Sequence, residues 1–173
     1  ADGYVREAQR TNPMNGDTAR LSGLIAHRLA EFDRAQAEFE LAVSSNKSDC
    51  ESHLHLGMIH GQKERFDVSV DSFARARDCY VTMAESATLR RGEIEASPLS
   101  EARKEVARAR LAQRVAGYRS AQASASLGAA EGETQRGAYD KALTRLAEAA
   151  ADPGLVGRVG ELRTRITALR ARR

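Results

Sequence analysis

The side chains of this chain best suited to bond chemistry are two cysteines and four histidines. Cys50 and Cys79 are its only thiols, and His27, His53, His55 and His60 its only imidazoles. Thiols can pair in a disulfide, lie buried as small hydrophobes, or join imidazoles around a metal. The histidine spacing argues against the metal. On a helix His53 and His55 point to different sides, and His53 and His60 lie two turns apart, too far for one ion without a third element. No glycine-rich phosphate loop follows a strand pattern, and no Ser or Cys lies in a nucleophile motif. No catalytic residue, cofactor or metal site is expected, and the histidines read as packing or surface groups. The cysteine pair remains, and its fate depends on the elements that carry it.

Those elements repeat. Gly23, Phe32, Ala35, Phe39 and Ala42 recur 34 residues later as Gly57, Phe66, Ser69, Phe73 and Ala76. The phase extends backwards to Ala8 and Pro13. Phe32, Ala35, Phe39 and Ala42 follow intervals of three and four, which is one stripe of a helix. Small residues let two antiparallel helices approach, and the rings fill the gap to the next pair. One hairpin cannot cover its own apolar face, so such units stack. The expected fold is all-α: a right-handed superhelical solenoid of antiparallel hairpins, about eight helices in one domain. Only three prolines, 29% charged and 42% hydrophobic residues, and no Trp agree with thin helical layers.

The pattern places a partial repeat at 1–14, repeats at 15–48 and 49–82, an irregular long-helix insertion at 83–126, a degenerate repeat at 127–154 and a capping helix at 155–173. Helices are expected over about 3–11, 17–29, 33–44, 50–63, 67–90, 98–131, 136–150 and 155–171. Asp17 and Ser97 are the expected caps, with Pro98 in the first turn and Glu131–Thr134 as a loop. Phe66 and Tyr139 lie 73 apart, about five more than two periods, which locates the irregularity between them. Cys50 opens a first helix and Cys79 closes its partner, so they are expected within about 10 Å. Both a bridge and two buried free thiols stay open.

The residues Leu56-Gly57, Phe66, Ser69, Phe73 and Ala76, and their earlier copy, resemble the tetratricopeptide repeat. Gly137-Ala138-Tyr139-Asp140-Lys141-Ala142 with Leu146, Ala149 and Pro153 resembles another second helix. The family's early Trp and first-helix Tyr are absent, and the closing Pro is missing after both good copies. The resemblance implies a protein or peptide partner on the concave side, lined by first helices. Carried over, that side holds Asp17, Arg20, Leu24, His27 and Arg28, then Glu51, Leu54, Met58, Gly61 and Gln62. The partner-binding set expected from these is Arg20, Leu24, His27, Arg28, Leu54, Met58 and Gln62. It is an apolar strip edged by cations, suited to an amphipathic helix or an apolar extended peptide. The family's carboxylate-gripping Lys and Asn are replaced by Arg20, Leu24 and His55, which argues against that activity.

Charge divides the chain. Residues 1–88 hold 10 Lys+Arg and 14 Asp+Glu, whereas residues 89–173 hold 17 and 10. Arg90, Arg91, Arg103, Lys104, Arg108, Arg110, Arg114 and Arg119 line the long segment, and Arg163, Arg165, Arg170, Arg172 and Arg173 the last helix. These read first as solvated helix faces. A site for an acidic protein or anionic lipid comes next. Nucleic acid is disfavoured, since that half carries only Tyr118 and Tyr139 for stacking. Three functions stay open: a non-catalytic interaction scaffold; an envelope-complex subunit or assembly factor, similar to repeat lipoproteins that assist type IV pilus or secretin assembly; and a regulatory module using the basic half. No stretch reaches the ~18 apolar residues of a membrane helix. No signal peptide is visible, and the start at Ala1, in mid-repeat, reads as a mature or trimmed fragment. The compartment is cytoplasmic or periplasmic, the latter favoured only by a Cys50–Cys79 bridge. A homo-oligomer stays open, with no residue that indicates one.

Overall fold

The computed structural model describes Gly3 and residues 15–172. The expected partial repeat at 1–14, with Ala8 and Pro13, lies outside the described residues. Seven α-helices follow: α1 (Gly16–Arg28), α2 (Phe32–Ser45), α3 (Cys50–Gln62), α4 (Phe66–Ala96), α5 (Glu101–Gln135), α6 (Tyr139–Ala149) and, after a 3-10 turn at Pro153–Leu155, α7 (Val156–Arg170). There is no strand among the described residues. Each helix packs on the next in the chain. α5 also touches both α3 and α7, the first helices of the neighbouring hairpins. That is the contact pattern of a solenoid.

Local sequence sets the helix ends. Asn15, not Asp17, caps α1: its side chain accepts from the Asp17 and Thr18 amides at 3.0 and 3.2 Å. Asp49 caps α3 by accepting from the Ser52 amide at 3.1 Å. The three tight hairpin turns are copies of one design. Ala30, Glu64 and Gly137 adopt left-handed φ of 59°, 57° and 72°. The next amide, of Glu31, Arg65 or Ala138, reaches back to the carbonyl of Ala26, His60 or Glu133 at 2.9 Å in each case. This is a Schellman-type closure. The third turn therefore falls where the Tyr139 phase requires.

The layers pack by matched sizes. A methyl added at Gly23 would meet the Phe39 ring at 2.8 Å, and one at Gly57 would meet Phe73 at 2.7 Å. Phe73 is pressed from its other side by Gly128, where an added methyl would come within 2.5 Å. In the third layer a smaller core residue, Leu146, packs with Ala130. Three clusters result. Ala26, Ala35, Phe39, Leu56 and Ile59 form one, and Cys50, Phe73, Ala76, Tyr80, Ala125 and Ala129 the next. Leu127, Ala130, Ala142, Leu146, Val159, Leu162 and Ile166 contribute to the last.

The middle departs from the expected boundaries. α4 starts in phase with α2 yet runs 31 residues against 14, and α5 runs 35. The excess of α4 alone adds roughly 25 Å of helix at 1.5 Å per residue. The far halves of α4 and α5 form an antiparallel spur beyond the stacked layers, in which no residue from Thr88 to Ser120 is buried. Ser97 does not start a helix. It ends α4, its hydroxyl donating to the Ile94 carbonyl at 2.7 Å, and α5 begins after Ser100. Glu131–Thr134 is likewise not a loop but part of the last turns of α5, buried from Gly132 to Thr134. Gly132 packs on Val70, the Glu133 carboxylate pairs with Arg136 at 3.2 Å, and Thr134 donates to the Ala130 carbonyl at 2.7 Å.

Candidate partner-binding face

α1 and α3 are the first helices of successive hairpins, and several of the expected groove residues tie them together. The Arg20 guanidinium reaches Glu51 at 2.7 Å, Asp17 at 3.1 Å and Asp49 at 3.5 Å. The hydrogen bond to Glu51, with the other two carboxylates, raises the arginine's already high pKa, so it stays charged throughout. His27 belongs to a ring cluster. It meets His55 edge-on at 5.0 Å and Phe32 at 5.7 Å, while His55 stacks on Phe39 at 5.0 Å with planes 7° apart. His55 therefore lies in the seam between hairpins. Burial, and then the neighbouring His27, pushes its pKa below the usual imidazole value. Leu54 packs against the cluster of Phe73 and Tyr80, with Tyr118 of α5 nearby.

The other four expected residues have more freedom. Leu24 is half-buried at the edge of the first cluster. Met58, one period later, is 37% exposed. Arg28 and Gln62 are exposed and make no hydrogen bond or ion pair among the described residues. The structure thus divides the seven. Arg20, His27 and Leu54 are engaged in joining hairpins, and Leu24, Arg28, Met58 and Gln62 border solvent. Gly61 faces inward, toward the Ser69 hydroxyl that donates to the Gly57 carbonyl at 2.8 Å.

Cys50 and Cys79 are joined by a disulfide with Cα atoms 5.4 Å apart. The bond ties the first turn of α3 to α4 close to the point where α4 outgrows its hairpin. His53 sits nearby, a ring nitrogen 3.1 Å from the Lys47 carbonyl. His60 is buried in the last turn of α3, and burial lowers its pKa. No group of three or more metal-capable side chains occurs among the described residues, and none of their helices is long and apolar enough to cross a membrane.

Two grooves on the spur escaped the sequence reading. The larger, about 1190 Å³, lies between α5 and the end of α6 over Ala109, Ala112, Val115 and Ala116, with Arg91 and Arg119 at its edge. The smaller, about 690 Å³, opens between the two arms of the spur. The signal was present as an Ala stripe at intervals of three and four in α5, which reads equally as helix packing. Lys104 and Arg108 are spent on holding the arms together: Arg108 grips Glu95 through two bonds of 2.8 and 2.7 Å, and Lys104 reaches the Glu95 carbonyl at 2.9 Å.

No family model and no curated protein matches the chain. Among solved structures, it is similar to YrrB, described as a TPR protein with an unusual peptide-binding site. That match has 14% identity and a TM-score of 0.41, covering 98% of this chain and 84% of that one. It is also similar to the MamA protein, at 13% identity and a TM-score of 0.40, covering 89% of this chain and 81% of that one. The tetratricopeptide-like character of the fold rests on the chain's own features: the 34-residue phase, the copied left-handed turns and the Gly–Phe contacts between paired helices.

Proposed function

We propose that the chain is a non-catalytic scaffold that binds a peptide or helix of a partner protein on the face of α1 and α3. One observation carries this reading. Leu24 and Met58 recur at the same repeat position on neighbouring first helices, and exposed Arg28 and Gln62 flank them without side-chain partners among the described residues. Arg20, the His27 ring and Leu54 supply the rigid backing. A fixed apolar strip with a polar edge suits side chains placed at helical or alternating spacing. The YrrB description makes a peptide ligand a natural comparison, at the level of analogy only.

The test is mild chemical cross-linking of the full chain in cells of the source organism, with mass identification of the captured chain. Leu24→Glu combined with Met58→Glu should abolish capture and leave helicity unchanged. Capture retained at the parental level would move the site to the spur.

A second reading, a subunit or assembly factor of an envelope complex, is favoured by the Cys50–Cys79 bridge. Disulfides persist in oxidising compartments and are rare where thiols are kept reduced. Fractionation followed by thiol labelling with and without reductant tests it. Free thiols in protein drawn directly from cells would remove this support.

A further inference from the structure

The smaller spur groove is lined by apolar side chains and by arginines from both arms. Half-buried Ile94 of α4 and half-buried Ala107 and Leu111 of α5 line it, together with Val106, which is 51% exposed. Arg90 lines it from α4, and Arg103, Arg110 and Arg114 from α5. The three on α5 follow intervals of seven and four, so they share one stripe of the helix. None of these four arginines forms an ion pair among the described residues, although Lys104 and Arg108 on the same helix are paired within the spur. Glu93 is the one carboxylate lining this groove. Among the described residues, no ion pair of these four guanidiniums helps to hold the solenoid together.

We propose that this trough is a docking site for an acidic amphipathic helix of a partner protein, on a surface separate from the α1–α3 face. Charge complementarity fixes the sign. Arginine forks match carboxylates two bonds at a time, so glutamates flanking an apolar stripe would meet these arginines while the stripe covers the apolar lining. The shape favours a helix over a bilayer, because the apolar side chains lie within a groove about 690 Å³ in volume and a flat lipid surface would leave that volume unfilled. It also disfavours nucleic acid, because none of the residues lining the groove is aromatic and able to stack on a base.

The probe is a fluorescein-labelled synthetic helix of about 18 residues, long enough to hold its fold, with Leu at intervals of three and four and Glu on both flanks. Anisotropy with the full chain should show saturable binding that weakens as salt rises. Arg103→Glu with Arg110→Glu should weaken it by about tenfold or more. Arg119→Glu, at the other groove, should leave it unchanged. The same helix with Lys for Glu should not bind. Circular dichroism checks that each variant folds, and Arg103→Gln with Arg110→Gln replaces the charge reversal should that variant unfold. The proposal is overturned by no binding of the acidic helix, or by equal binding to the double variant. It is also overturned if anionic vesicles or duplex DNA, run in parallel, show the arginine dependence that the acidic helix lacks.

Discussion

The base of α4 and its far half belong to one uninterrupted helix, yet they obey different rules. At the base, Phe73 is held between Gly57 and Gly128, Ala76 is fully buried, and Ser69 satisfies a backbone carbonyl inside the layer. Beyond Thr88 nothing is buried until α5 has returned past Ser120. At the base, residue types are set by the space two neighbouring helices leave. On the spur the two arms pack mainly on each other, and most positions are free to serve another purpose. The concentration of unpaired arginine falls in the part of the molecule where packing demands least.

That contrast is open to measurement. Phe73→Ala should cost about 3–5 kcal/mol, because a ring enclosed on two sides leaves a cavity that cannot collapse. Val106→Ala on the spur should stay within about 0.5 kcal/mol. Chemical or thermal melts that put the two on a par would erase the distinction between base and spur. Opening the Cys50–Cys79 bond, by reductant or as a double Ser variant, should cost about 3–4 kcal/mol in the chain-entropy description of a loop of this length. The reduced protein should lose α3 and α4 protection from hydrogen exchange before the α6–α7 layer does, and simultaneous loss would contradict this order.

Through its histidines, mild acid should act on the first two layers. His55 and His60 have folded pKa values below the ordinary imidazole value, mainly through burial. Glu51 and Asp49 oppose the shift at His55, as Glu40 does at His60, whereas His27 reinforces the first and Arg65 and Lys63 the second. A depressed pKa means that the unfolded chain binds the proton more readily. Stability from these groups is therefore complete above pH of about 6.5 and declines as pH falls below it, toward their folded values. His55→Phe should flatten that decline in melts recorded from pH 7.5 to 5. The last expected effect is a gain. Ala30→Gly and Glu64→Gly should each stabilise by about 0.5–1 kcal/mol, because both residues occupy left-handed backbone that glycine adopts without strain. A loss at either turn would mean that the side chain contributes there.

The residues that announced the fold were those whose size is constrained. Gly23, Phe39, Gly57 and Phe73 mark the hairpins because a ring needs a missing side chain opposite it. The left-handed turns at Ala30 and Glu64 were hidden, since neither residue type signals that conformation. Ser97-Pro98 looked like a helix start, yet the tip of the spur places the start at Glu101, after Ser100. Gly132, Glu133 and Thr134 looked like a loop because their composition is polar. Burial with Arg136 and Val70 as partners makes them helix. Among the groove residues, the repeat phase put Arg20, His27 and Leu54 on the expected helices. It could not show that ions and rings of the next hairpin would engage them.

The disulfide also has a mechanical side. The spur is a lever some 25 Å long, and its tip, around Leu99, is the point farthest from the stacked layers. A pull on that tip would tend to peel α4 away from α3, breaking one side-chain contact after another. Cys50–Cys79 sits near the root of the lever and crosses that peeling line with a covalent pin. While the pin is closed, load applied to the spur passes into α3 as shear on one bond. When it is open, the same load works on the Phe73 layer contact by contact, so the redox state of two sulfurs sets how much force the spur can transmit to the rest of the array.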